Sequence, residues 1–164
     1  MDFNFISIIF IAILFILAFY DLKYKAVPDY LLLAILILSF FVSSFSLIEA
    51  FTNALLAIGF FWLLNFFVTF YIQNIKSRIY KDESLKAQNA LGEGDLPAIG
   101  SFAVVLGIEA LIYVMIFSSI IAIIQASYLK IKKNDLIIPF IPSLVCGFLL
   151  EYFLKISYYF KGLF

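Results

Sequence analysis

Two short stretches carry an aspartate where hydrocarbon gives way to polar chain: YDLKYKAVP, residues 20–28, and GEGD, residues 92–95. Asp21 closes the first apolar run and Asp95 opens a later one. Carboxylates beside hydrocarbon are costly to keep and tend to mark function. Two held together have a specific chemical use. Like charges in one site do not both ionise easily, so the pair shares a proton. The charged member then takes a proton from water while the protonated member polarises a peptide carbonyl. Such aspartic proteolysis needs neither histidine, metal nor a nucleophilic cysteine. The chain has no histidine, and its one cysteine, Cys146, sits in an apolar run and reads as a small buried hydrophobe.

The glycines beside Asp95 have two readings. Gly92 and Gly94 can adopt backbone angles denied to other residues and let a substrate strand approach closely. They can equally form the turn into the next apolar segment, with Asp95 as its N-cap. A small proton-coupled transporter, or an inactive scaffold of a secretion or pilus machine, would also carry acids beside hydrocarbon.

Composition sets the class. Hydrophobic residues make up 65% of the 164 and charged ones 13%, against roughly 45–50% and about 25% in a soluble domain. That excess of apolar surface must face lipid, so residues 1–164 read as one all-α integral membrane domain whose partner is the bilayer. A net charge of zero gives no basic surface for nucleic acid. The opening apolar run lacks a positive leading region and a small-residue cleavage site, so it reads as a retained span.

The elements that must position the acids follow from hydropathy. Candidate spans are Phe3–Tyr20, Tyr30–Ile48, Phe51–Tyr71, Ile108–Leu129 and Leu136–Leu154. Between them lies Leu96–Gly107, only about 18 Å as a helix. It reads as a tilted, protein-buried crossing, a re-entrant segment or the start of a longer helix. Basic residues fall in three connections, approximately 21–29, 72–95 and 130–135, and stay on the cytoplasmic side during insertion. All three share that side only if the short segment crosses. About six spans follow, the fourth short, with Asp21 and Asp95 at one membrane face and Glu109 and Glu151 towards the other. The connection Ile72–Gly94 reads equally as an amphipathic helix on the inner surface or as a solvated loop. Asp29, Asp82, Glu83 and Glu93 give the acid face a negative cast. Gly100, Gly107 and Gly147 are expected to permit close helix packing.

With the late stretch IPFIPSLVCG, residues 138–147, the two aspartate stretches complete a pattern. D-x6-P from Asp21 to Pro28, then G-x-G-D, then P-F-x-P resembles the type IV prepilin peptidase family, in order and spacing over most of the chain. Presenilin-like enzymes share only the G-x-G-D element. The resemblance implies a GxGD-type aspartic endopeptidase in the bacterial cytoplasmic membrane, without cofactor or metal, cutting short basic leaders from prepilins or pseudopilins at the cytoplasmic face. Its catalytic pair falls on Asp21 and Asp95. Gly92, Glu93, Gly94, Pro28, Pro139, Phe140 and Pro142 would shape the site or touch substrate. Two positions depart from the family pattern: Pro97 stands where lysine is frequent, and Ile141 where glycine is usual. The region with paired CxxC motifs associated with N-methylation is absent, which implies a short form that cleaves without methylating.

Overall fold

The computed structural model describes residues 5–81, 83–87, 92, 94–133 and 139–160, and all regular structure among them is helical. The first helix, α1 (Phe5–Tyr24), is apolar nearly all round and has no glycine or proline to interrupt it. Its one buried stripe runs through Phe10, Leu14, Leu17 and Asp21, the three-to-four spacing of a helix face. Asp21 is thus in register with the core and lies inside the helix, not in a connection beginning at residue 21. Lys25, at φ 53, ends α1. Extended backbone at Pro28 then leads into α2 (Asp29–Val42).

The second helix stops earlier than hydropathy suggests, at Val42 and not Ile48. The reason is a capping box. The Ser46 hydroxyl accepts from the Glu49 N–H, and the Glu49 carboxylate accepts from the Ser46 N–H, which satisfies two otherwise unpaired donors. These contacts start α3 (Leu47–Phe70) four residues ahead of the expected Phe51. The helical run then continues through a π-helical turn, Tyr71–Lys76, into α4 (Ser77–Tyr80). The front of the 72–95 connection is therefore neither loop nor separate surface helix but an extension of α3. A 3-10 turn follows at Glu83–Ala87, while Asp82 lies outside the described residues.

The short segment is α5 (Asp95–Leu106), and it is the centre of the bundle. Asp95 and every residue from Ala98 to Val105 are buried, and α2, α3, α6 and α7 pack around it. A helix shielded by protein over most of its length has little lipid to match in length. Gly107, at φ 82, makes the turn into α6 (Ile108–Lys133), a conformation L side chains avoid. The α6 helix runs through most of the 130–135 connection; residues 134–138 lie outside the described residues. Then come α7 (Ile141–Leu154) and α8 (Ile156–Phe160). Cys146 corrects its expected burial: it is exposed, on the outward face of α7.

Three helical runs, Phe5–Tyr24, Leu47–Tyr80 and Ile108–Tyr128, are long and apolar enough to cross a membrane, and three shorter apolar helices alternate with them. Lipid tails are as apolar as leucine, so close packing, not expulsion from water, must join such helices. Small residues supply it. A Cβ on Gly147 would stand 2.7 Å from the Val114 carbonyl oxygen of α6, and one on Gly100 would stand 2.6 Å from Ile58 Cδ1 of α3. Phe148 of α7 stacks on Phe102 of α5 with centroids 4.4 Å apart and meets Phe10 of α1 edge-on at 5.8 Å. These three fully buried rings lock α1, α5 and α7 together.

Cross-contacts fix the directions. Leu32 lies against Gly94 and the Ser43 hydroxyl donates to the Val104 carbonyl at 2.7 Å, so α2 and α5 run parallel. Asp21 meets Ile141 while Phe10 meets Phe148, so α1 and α7 run antiparallel. One pole of the bundle consequently gathers the end of α1 and the starts of α2, α5 and α7. The opposite pole gathers Ser44, Leu106, Ala110 and Glu151 around a cavity of about 170 Å³. There Glu151 accepts hydrogen bonds from the backbone N–H and hydroxyl of Ser157.

Candidate active site

Asp21 and Asp95 meet at the first of these poles. They are 7% and 6% exposed, rare for carboxylates, which are almost never so buried without a partner. Each is anchored through one oxygen by a backbone donor. Asp21 Oδ2 accepts from the Ile141 N–H at 3.0 Å, and Asp95 Oδ2 accepts from the Gly92 N–H at 3.1 Å. The two acids are near enough that the charge of Asp21 acts on Asp95.

Local sequence explains the first anchor. The opening N–H groups of a helix have no partner within it. At α7 the N-cap is Phe140, which offers no side-chain cap, and Pro142 has no N–H to give. Asp21 supplies the missing acceptor from the other end of the chain, where the partial positive charge of the helix start also favours an anion. Pro139 is buried, Phe140 and Pro142 half-buried, and they frame this donor. Sequence reasoning singled out these three and missed Ile141 between them. The available signal was that Ile141 is the residue with an N–H between the phenylalanine and the second proline.

The second anchor is reciprocal. The Asp95 N–H donates to the Gly92 carbonyl at 3.1 Å while its carboxylate accepts from the Gly92 N–H. Gly94 is the N-cap of α5 and Asp95 the first helical residue, so Asp95 does not cap its own helix. The expected unusual glycine conformation is also corrected. Gly94 has φ −72 and ψ −18, ordinary right-handed values, and among the described glycines only Gly107 has positive φ. What glycine provides is closeness to side chains. A Cβ on Gly92 would lie 3.3 Å from Asp95 Oδ2, and one on Gly94 would lie 3.2 Å from Leu32 Cδ1.

Pro28 is the N-cap of α2, its carbonyl accepting from the Leu31 N–H at 3.0 Å. It sets the turn after α1. Glu93 lies outside the described residues. Among the described residues no three His, Cys, Asp or Glu side chains gather as metal ligands would. The arrangement is a pair of buried carboxylates at one pole of the bundle, each held in orientation by a peptide N–H. Such a pair can share one proton and polarise a water between its members.

A model of the type IV leader peptidase family matches residues 8–127, well over half of the chain. The matched stretch contains both carboxylates and stops short of Pro139–Pro142. No curated protein and no solved structure matches.

Proposed function

Because the chain belongs to the type IV leader peptidase family, we propose that it is a membrane aspartic endopeptidase that uses Asp21 and Asp95 to cut the leader from type IV prepilins or pseudopilins. One ionised carboxylate takes a proton from water, and the oxygen so freed bonds to the scissile carbonyl carbon. The protonated carboxyl gives its proton to the carbonyl oxygen. The tetrahedral diol collapses as the first carboxyl protonates the amide nitrogen, the C–N bond breaks, and a diol proton returns to the second carboxylate. One water and one amide become an acid and an amine, and the pair ends with the single proton it began with.

The observation that carries this reading is the convergence at one pole of two buried aspartates from distant parts of the chain, each oriented by a backbone donor. Burial excludes bulk water, which strengthens electrostatic action on the one water that reacts. Six crossings are part of the proposal, with α5 short because protein surrounds it. The basic residues Lys23, Lys25, Lys76, Arg78, Lys81 and Lys86 then mark the acid pole as cytoplasmic, in a bacterial inner membrane. A prepilin whose apolar segment lies in the bilayer presents its leader junction at that depth. No cofactor enters this chemistry, and residues 1–164 cleave without themselves methylating the product.

The test is cleavage of candidate prepilins by the purified protein in liposomes, with sequencing of the new N-termini. Cleavage at one leader junction, lost in Asp21→Asn and in Asp95→Asn, supports the reading. Full activity in either variant overturns it.

A further inference from the structure

Beside Asp95 the same pole carries a pocket of about 430 Å³ that the two-carboxylate chemistry leaves unused. One wall belongs to α2 and the other to α5, and their parallel course gives the pocket a direction. At its polar end stand Asp29 and Tyr30, the first two residues of α2; further along lie Leu33 and Leu36. Asp29, Leu33 and Leu36 recur at helical spacing and so share one face. Opposite them are Gly94, immediately before Asp95, and Pro97, two residues after it. Asp29 is exposed and is the charged residue of the lining. The pocket is therefore a trough that is anionic at the pole, apolar towards the middle of the bundle, and flanked along its α5 wall by the residues on either side of a buried acid. Its volume lies within the roughly 300–1,000 Å³ of small-ligand sites, room for a few side chains.

We infer that this trough binds the substrate on both sides of the scissile bond, with Asp29 pairing with a lysine or arginine of the leader. The apolar side chains that follow the cut lie against Leu33, Leu36 and Pro97. The inference deepens the peptidase reading and rests on it. Charge complementarity selects the cationic residue, and the gradient from Asp29 to Leu36 sets the direction of the chain: leader towards water, mature segment towards the membrane interior. Asp29 is thus a specificity-determining residue and not a catalytic one. Pro97 contributes by keeping the facing wall uncharged, so nothing on that wall competes for Asp29.

A charge swap tests this. Two prepilin substrates are used, one with lysine next to the leader junction and one with glutamate there, with wild type, Asp29→Lys and Pro97→Lys in liposomes. In wild type the lysine substrate has the lower KM. Asp29→Lys raises that KM about tenfold, with little change in kcat, and lowers the KM of the glutamate substrate. Pro97→Lys shifts preference in the same sense from the opposite wall, without altering α2, and so decides the matter should Asp29→Lys fail to fold. If wild type cuts both substrates without discrimination, or both variants leave both KM values unchanged, as a lipid-filled trough would give, the inference falls while the peptidase reading stands. A fall in kcat with KM unchanged assigns Asp29 a structural role and also overturns it. If wild type cuts neither substrate, both readings fall together.

Discussion

The backbone N–H of Ile141, at the start of α7, donates to the carboxylate of Asp21, in the last turn of α1, at 3.0 Å. Two halves of the chain are joined by this bond, which does two things at once. It satisfies a helix N-terminus that has no cap of its own, and it fixes the orientation of a buried acid.

The two roles separate by substitution. Asp21→Asn keeps an oxygen for the Ile141 N–H, so it should unfold within a few degrees of wild type. Asp21→Ala removes the acceptor and should cost about 1 kcal/mol, the usual worth of a helix cap. Both should lose cleavage by about 10²–10⁴-fold, the range for removing a positioned acid or base. Thermal unfolding in detergent beside a cleavage assay reads both quantities, and an active Asp21→Asn would remove Asp21 from the chemistry.

Asp95→Asn should match that loss of rate and leave folding near normal, because an amide oxygen can still accept from the Gly92 N–H. If only one of the two aspartates matters, single-turnover kinetics will show unequal losses and the shared-proton mechanism fails.

Gly92→Ala places a methyl 3.3 Å from Asp95 Oδ2. The carboxylate must shift by a few tenths of an ångström, so kcat should fall about tenfold or more, since small misplacements of reacting groups are costly. Gly94→Ala meets only the flexible end of Leu32 and should be milder. Equal effects from the two would contradict this geometry.

The small-residue contacts away from the acids should respond as packing does. Gly147→Ala drives a methyl towards the Val114 carbonyl and the Ser118 hydroxyl of α6. Backbone cannot yield easily, so a loss of about 1–3 kcal/mol is expected. Gly100→Ala crowds the Ile58 side chain and meets Leu36 Cδ1 only at ordinary contact distance, and shortening Ile58 in Gly100→Ala/Ile58→Ala should recover part of the loss. Chemical or thermal unfolding of the three variants checks this, and a fully stable Gly147→Ala would mean that α6 and α7 pack less closely than described.

Much of this was legible in residue order. The helical membrane class follows from composition, because solvent exposure of so much hydrocarbon has no soluble solution. Asp21 could be placed at the polar edge of the first apolar run, although a run apolar on every face did not show which side of α1 would be buried. The family pattern, too, is local: D-x6-P and G-x-G-D are short motifs whose members lie close along the chain. Even the early end of α2 was written in the capping pair Ser46 and Glu49, although hydropathy masked it, since Leu47 and Ile48 are as apolar as the span before them.

What only the tertiary structure decided is what depends on packing between distant segments. Hydropathy measures a residue's preference for lipid over water and is blind to whether protein takes the place of lipid. For that reason the central position of α5, enclosed by four helices, was one of several open readings. Which distant acceptor an N–H will find has no sequence signature, so the pairing of Ile141 with Asp21 was invisible, as was the trough between Asp29 and Pro97. Each arises where helix faces meet, and the matching of those faces is settled by close packing around Gly100, Gly147 and the Phe10–Phe102–Phe148 rings, not by any one segment's own preference.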